Sequence, residues 1–212
     1  MRRALALLVV SACAGHGPQQ IGAEPSWRHG DATATGSAAR GAAGFAGARY
    51  DQAALDLCEA SDLNPQSTEP YLFRGKIEIA APDQLPCVVQ KLARFQNLRP
   101  GDSLANYYYA MALWKQQGQA NDPQAMEKLK SMLARAVSLD PGCADGFLQL
   151  GNLSANQRQW KQAIDLYLKA IQANPELADA HYRLGVAYER VGETAKAKEQ
   201  FQLHDTIAGE QA

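Results

Sequence analysis

The residues that could carry out chemistry in this 212-residue chain are few and scattered. Its four histidines, His16, His29, His181 and His204, do not form the His-Glu-x-x-His pair that binds catalytic zinc. The chain also lacks the Gly-x-Ser-x-Gly turn of a serine nucleophile and the glycine-rich loop that ends in Lys-Ser or Lys-Thr and holds a phosphate. Because no pattern brings an acid, a base and a nucleophile together, the sequence predicts a protein that is not an enzyme and uses no cofactor.

The four cysteines do not have the paired spacing of a metal site, so we expect no bound metal. They are Cys13, Cys58, Cys87 and Cys143. If Cys13 is set aside, three remain, and this odd number allows at most one disulfide among them. One disulfide could form if the protein is exported; the other interpretation, which we favour from the sequence, is that all three are buried free thiols.

Composition narrows the class of protein further. Apolar residues make up 46% of the chain, as in folded soluble proteins, and the formal net charge is −1. A nucleic-acid surface needs a basic stripe, and nothing in this charge balance supports one. Beyond the N-terminus no apolar run approaches the roughly 18 residues that span a bilayer. We therefore expect a protein or peptide partner rather than nucleic acid.

The N-terminus has the pattern of an export signal. Arg2 and Arg3 precede an apolar stretch over residues 4–10, and small residues follow up to Ala14. Residues 10–13 resemble a bacterial lipobox, which makes Cys13 a candidate for lipidation and gives the only predicted contact with a membrane. The alternatives are plain cleavage after Ala14 and an ordinary cytosolic N-terminus.

Residues 15–48 are rich in glycine, with eight of the chain's 17 glycines, mixed with alanine. Glycine at this density opposes helix formation, so the sequence predicts a flexible tether between the signal over 1–14 and a folded region over 49–212. The alternative is that this segment contains a degenerate first helix of the folded region.

The elements that must position any functional residue are identified by a repeat. Leu150-Gly151 recurs 34 residues later as Leu184-Gly185, and Ala163 and Tyr167 recur as Ala197 and Phe201. Residues at i, i+3, i+4 and i+7 share one face of a helix. Glycine on that face lets a second helix approach, and the aromatic residue of the second helix fills the space. One such helix pair cannot bury its own apolar face, so neighbouring pairs must stack.

Written out, one unit is Phe147-x2-Leu150-Gly151-x2-Ser154, followed by Ala163-x3-Tyr167, Ala170 and Pro175. This resembles the tetratricopeptide repeat, a helix–turn–helix unit. The resemblance implies an all-α, right-handed α-solenoid of about four and a half units. Their approximate bounds are 49–66, 69–101, 104–142, 144–177 and 178–211.

Prolines mark the ends of the units. Pro65, Pro100, Pro141 and Pro175 are spaced by 35, 41 and 34 residues. The first unit shows only its second helix, and we expect the third unit to open at Tyr107. His181 stands at the opening aromatic position of the last unit, which favours a packing role over a catalytic one.

The resemblance also implies a binding site. In tetratricopeptide-repeat proteins the first helices line a concave groove that holds a peptide or a helix of a partner. The matching positions here are Tyr108, Leu148, Asn152, Tyr182, Arg183 and Val186. The alternative is that the leucine and tyrosine side chains of this row pack between helices. Leu148 and Asp179 stand where the chaperone-binding branch of the family has lysine, so we do not expect that specificity.

The sequence thus predicts a non-catalytic scaffold that binds a protein partner, in a bacterial cell envelope. Bacterial lipoproteins of pilus assembly and envelope maintenance that carry these repeats have a similar layout. The alternative is a cytosolic accessory or regulatory domain of a larger enzyme or signalling system.

Overall fold

The computed structural model describes residues 32–83, 85–117 and 122–211, and within these ranges the chain is helical with no β-strand. The predicted signal over residues 1–14, including Cys13, lies outside the described residues. The helices follow one another as α1 (Ala32–Ala46), α2 (Tyr50–Leu63), α3 (Glu69–Ala80), α4 (Val88–Leu98), α5 (Ser103–Gln117), α6 (Pro123–Leu139), α7 (Ala144–Asn156), α8 (Trp160–Ala173), α9 (Ala178–Arg190) and α10 (Thr194–Glu210). The predicted all-α fold is confirmed.

Each odd-numbered helix pairs with the even-numbered helix that follows it, and each pair packs against the next along the chain. We number these pairs as units 1 to 5, from α1–α2 to α9–α10. In the second unit, α3 contacts α2 and α5 more than its own partner α4. The result is a solenoid of five stacked helix pairs within the described residues.

The first unit is complete, which differs from the predicted tether. Helix α1 occupies residues 32–46, inside the segment 15–48 that the sequence predicts to be flexible. Two of the glycines that suggested disorder lie at its contact with α2: a side chain at Gly41 would overlap Leu57, and one at Gly44 would touch Ala53. Close helix packing therefore explains these two glycines, as the alternative interpretation of a first repeat helix requires.

The turn that joins α1 to α2 repeats in the last two units. Ala48, Arg158 and Gly192 have positive φ angles of 54°, 58° and 84°. In each case the N–H of the following residue donates to a carbonyl oxygen in the last part of the first helix, from Arg49 to Gly44 and likewise in the other two turns. This shared left-handed turn shows that α1–α2 is the same structural unit as α7–α8 and α9–α10.

The prolines end the second helices as predicted. The residues before them, Asn64, Arg99, Asp140 and Asn174, cap α2, α4, α6 and α8 in non-helical conformations. The residue before a proline is driven out of the helical region by its ring, so each helix stops there. Each cap N–H still donates to the helix, for example from Asn64 to Ala60 O at 3.0 Å.

The cysteines correct the sequence prediction of free thiols. A disulfide joins Cys58 of α2 to Cys87, the residue that precedes α4. None of the cysteines among the described residues is a free thiol. Sequence spacing could not reveal the pairing, because the two residues come together only when α2 and α4 lie side by side in successive units.

Candidate partner-binding groove

In units 2, 3 and 5 the first helix is fixed by a polar side chain that reaches back to the preceding proline. Tyr71 Oη donates to Pro65 O at 3.3 Å, and Asn106 Nδ2 donates to Pro100 O at 3.1 Å. His181 Nε2 lies 3.0 Å from Pro175 O, and its Nδ1 lies 2.9 Å from Gln200 Oε1. The buried histidine therefore has the predicted packing role, with both ring nitrogens engaged.

This contact corrects the register of the third unit. Its opening residue is Asn106 rather than Tyr107, because Asn106 makes the bond that Tyr71 and His181 make in their own units. The signal was present in the sequence: Asn106 follows Pro100 at the same interval as His181 follows Pro175. The prediction assumed an aromatic residue at the opening position, but Asn106 places a carboxamide there.

Two of the six predicted groove residues are buried. Tyr108 is 1% exposed, and its ring occupies the space that a side chain at Gly75 would need. Leu148 is 4% exposed and belongs to the apolar cluster that contains Tyr167 and Leu184. Their assignment to a partner surface is corrected: both side chains hold successive units together, as the alternative interpretation of this row predicted.

Asn152 is half-buried and already has partners. Its Oδ1 accepts from Tyr167 Oη at 2.9 Å, and its Nδ2 donates to Gln149 Oε1 at 3.1 Å. Burial raises the pKa of Tyr167 to about 12, while the nearby charge of Arg183 acts in the opposite direction. The phenol therefore remains a hydrogen-bond donor to Asn152 across the neutral range.

The remaining three residues lie on α9. Tyr182 is 43% exposed, Arg183 is exposed and Val186 is half-buried. The Tyr182 ring lies 5.7 Å from the Phe201 ring and 5.4 Å from the His204 ring of α10. The Arg183 guanidinium also lies over the Tyr182 ring, with its Cζ 5.9 Å from the ring centroid. We call Tyr182, Arg183 and Val186 the α9 surface.

Arg183 is available for a partner. Among the described residues no carboxylate lies within ion-pair distance of its guanidinium. A guanidinium presents five donors in a planar fork that suits a carboxylate or a backbone carbonyl. The α9 surface thus combines an exposed ring with an unpaired cation.

The sequence reasoning missed two charged residues in α3. Arg74 stands where Leu150 and Leu184 stand in their units, and Glu78 stands where Ser154 and Tyr188 stand. Both are essentially inaccessible to solvent, at 0% and 1% exposed. The repeat alignment could have revealed them, because the second unit matches the pattern at Tyr71 and Gly75 but not at these two positions.

These two side chains are only partly satisfied. Arg74 Nη2 donates to Ser61 Oγ at 3.3 Å, whereas Nε and Nη1 of Arg74 and both carboxylate oxygens of Glu78 have no hydrogen-bond partner among the described residues. Burial lowers the pKa of Arg74 to about 10. Burial also raises the pKa of Glu78, an effect that Lys115 reduces.

Lys115 ties α5 to the end of α3. Its Nζ lies 3.8 Å from Glu78 Oε1 and donates to Ala81 O at 2.6 Å and to Glu78 O. A cation at a helix C-terminus satisfies carbonyl groups that have no partner within the helix. The charge of Lys115 is therefore shared between the Glu78 carboxylate and the last carbonyls of α3.

The described residues hold no group of three or more histidine, cysteine or acidic side chains placed to bind a metal ion. In the same part of the chain no helix is long and apolar enough to cross a bilayer.

The stacked helix hairpins define an α-solenoid of the helical-repeat class. A model of the tetratricopeptide repeat matches residues 155–192, which contain α8 and α9. The chain therefore contains a tetratricopeptide repeat within this solenoid.

Known proteins with similar sequences are mitochondrial import receptors. The human receptor subunit TOM70 is 26% identical over 131 residues, and the rat TOM70 is 25% identical over 134 residues. Each match covers 62% of this chain but only 21% of the receptor. The chain thus spans about a fifth of the length of these relatives.

Solved structures resemble the fold over most of the chain. A crystal structure of MamA superposes with a TM-score of 0.62 at 22% identity and covers 84% of this chain and 93% of that one. MamA from Desulfovibrio magneticus RS-1 gives a TM-score of 0.65 at 20% identity, covering 85% and 98%. Pseudomonas aeruginosa pilF gives 0.66 at 15% identity, covering 82% and 76%. At these identities the likeness concerns the fold.

Proposed function

We propose that this protein is a non-catalytic scaffold that binds a peptide or helix of a partner protein through the α9 surface. One observation carries the proposal. Tyr182 is 43% exposed, although Leu148, at the same position of the preceding unit, is 4% exposed. A large aromatic ring that the fold leaves in solvent, next to an unpaired arginine, has the residue types most often found at binding hot spots.

The partner chemistry follows from these groups. The Tyr182 ring and the Val186 side chain offer apolar area, and Arg183 offers a forked donor for an acidic side chain or a main-chain carbonyl. Asn152, already bonded to Tyr167 and Gln149, positions the neighbouring rings instead of contacting the partner. Acidic Asp179, exposed one turn before Arg183, favours a partner segment with a basic flank.

Binding measurements with matched variants test the assignment. Tyr182→Ala and Arg183→Ala should each weaken binding of a partner isolated with the wild-type protein by about 1 kcal/mol or more. Leu168→Ala is the control, because Leu168 is equally exposed, at 44%, but lies on the second helix of its unit. Titration calorimetry gives the affinities. Equal losses in all three variants, or none in the first two, would refute the proposal.

We further propose that the protein works in the bacterial cell envelope, with Cys13 as the site of a lipid anchor. The signal pattern of residues 1–14 supports export. The Cys58–Cys87 disulfide also supports it, because such bonds persist in oxidising compartments. The proposal predicts that the intact mass of natively expressed protein lacks the signal and that Cys13→Ala releases the protein from membranes. A Met1-initiated product in the cytosol would favour the alternative accessory domain.

A further inference from the structure

Because α3 carries two buried charged residues, its packed position depends on contacts from outside the helix. Arg74 and Glu78 lie one turn apart in α3, and among the described residues Nε and Nη1 of Arg74 and the Glu78 carboxylate have no hydrogen-bond partner, so the bond to Ser61 and the ion pair with Lys115 compensate their burial only in part. Ionised groups in this situation favour any rearrangement that returns them to solvent. The equivalent helices α7 and α9 carry leucine at the Arg74 position and have no such tendency.

The disulfide encloses this helix. Cys58 lies in α2 and Cys87 precedes α4, so the covalent loop between them contains the whole of α3. A crosslink restricts the open forms of the segment that it closes and so favours the packed form. The unit with the least favourable core is therefore the one that the disulfide restrains.

We propose that the Cys58–Cys87 disulfide is a redox lock on α3. With the bond intact, α3 stays packed between α2 and α5. When the bond is reduced, the segment between the two cysteines opens locally and brings Arg74 and Glu78 to water, while units 4 and 5 keep their fold. The loosened region includes the exposed side chains of Lys76 and Ile79, so reduction changes the exposed surface of unit 2.

The reaction needs a dithiol reductant, which the proposal names as a small dithiol or a dithiol protein. A thiolate of the reductant attacks Cys87 Sγ, which is the more accessible sulfur because Cys58 is only 7% exposed. The Cys58–Cys87 bond breaks, and Cys58 leaves as a thiolate that takes a proton. The second thiol of the reductant then attacks the mixed disulfide and releases Cys87. The protein gains two electrons and two protons, and the dithiol becomes a disulfide.

This lock is separate from the α9 surface. Partner binding at Tyr182 and Arg183 should be the same in oxidised and reduced protein, because units 4 and 5 are not enclosed by the disulfide. Loss of the redox effect would leave the proposed function intact, and failure of the binding variants would leave the lock intact.

Hydrogen exchange of the full chain, followed by mass spectrometry, tests the lock. We expect dithiothreitol to accelerate exchange in peptides covering α3 by about thirty-fold or more, the lower end of the effect of closing a loop of this size. Peptides covering α8 and α9 should change by less than about two-fold. Unchanged exchange in α3, or equal acceleration throughout the array, would overturn the proposal.

Two variants separate the causes. Cys58→Ala with Cys87→Ala should show fast exchange in α3 without reductant, and dithiothreitol should then cause no further change there; a remaining response would place the switch elsewhere.

Arg74→Leu with Glu78→Gln keeps the disulfide and removes the buried charges. In that variant, reduction should accelerate hydrogen exchange in α3 markedly less than in the wild type. An equal acceleration would show that the buried charges do not cause the opening of α3.

Discussion

Units 2 and 5 share the repeat pattern, but the interior of unit 5 is apolar, whereas unit 2 buries charged side chains. In unit 5, Leu184 is fully buried in an apolar cluster, and a side chain at Gly185 would overlap the ring of Phe201. In unit 2 the corresponding position holds the buried Arg74, and the side chain placed over Gly75 is Tyr108 of the following unit. In unit 5 the ring over the glycine thus comes from the unit's own second helix, whereas in unit 2 it comes from the following unit and a disulfide adds a further link.

A helix pair can therefore keep the repeat geometry after losing the repeat's core residues. Nearest-neighbour contacts carry the stability of such arrays, so a weak unit survives between stronger ones. In unit 2 these contacts include Lys115, which joins α5 to the C-terminal carbonyls of α3. Substitutions in the interiors of units 2 and 5 test whether the two units differ in stability as described.

The largest effect is expected in unit 5. Leu184→Ala removes a fully buried side chain and should lower the free energy of unfolding by about 2–5 kcal/mol. Because α8 and α9 share one apolar cluster, the loss should reach unit 4 as well. Urea denaturation measures the effect, with Leu168→Ala as an exposed control. A midpoint equal to that of the wild type would show that Leu184 is not packed as described.

A change in the opposite direction is expected in unit 2. Arg74→Leu restores the repeat's leucine and removes unpaired buried donors, so it should stabilise the protein by about 1–4 kcal/mol. Arg40 provides the control, since it stands at the same position of unit 1 but its side chain is 57% exposed and pairs with Asp56 and Glu59. Arg40→Leu should be neutral or slightly destabilising. If both variants respond alike in urea, burial of Arg74 is not the cause.

A smaller effect with a defined pH dependence is expected at Glu78. Burial raises the pKa of this carboxyl above 4.5, so the folded state binds its proton more tightly than the unfolded state. Stability is therefore lost as pH rises from the unfolded pKa through the folded pKa, and Glu78→Gln removes this loss. The variant should be more stable than the wild type at pH 7 and equal to it at about pH 4 or below. An advantage that grows on acidification would contradict the assignment.

The smallest effect on stability is expected at the α9 surface. Tyr182→Ala should shift the free energy of unfolding by about 0.5 kcal/mol or less, because 43% of the side chain is already in solvent. Thermal melting followed by circular dichroism is sufficient. A melting temperature close to that of Leu184→Ala would mean that the Tyr182 contacts with Phe201 and His204 are structural, and the ring would no longer be available as a binding residue.

Sequence reasoning was most accurate where the repeat pattern is strictly periodic. In units 4 and 5 the glycine and the aromatic residue, and in unit 4 also the closing Pro175, predicted helix positions that the structure confirms. The sequence prediction was wrong for α1. A glycine-rich composition argues against a helix, but composition does not show that a glycine lies against a neighbouring helix. The third unit was misplaced by one residue because its opener is Asn106.

The candidate site was predicted less well than the fold. Exposure of one row of side chains depends on the unit that stacks next to it, and this separates Tyr182 from Leu148 although both hold the same place in the repeat. The disulfide and the surroundings of the buried charges of α3 involve contacts between units, which a pattern within one unit does not contain.

The bond from a first helix to the preceding proline carbonyl has a consequence for how such repeats diverge. A phenol, a carboxamide and an imidazole satisfy the same acceptor in Tyr71, Asn106 and His181. In units 2, 3 and 5 the retained feature is therefore the reach of a donor rather than a residue type. Substitution profiles that score each column by chemical similarity will underestimate these units. A description that asks whether a side chain can place an N–H or O–H at that carbonyl would recognise all three as equivalent, and it would separate them from unit 4, where Phe147 follows Pro141 at the same interval but has no donor.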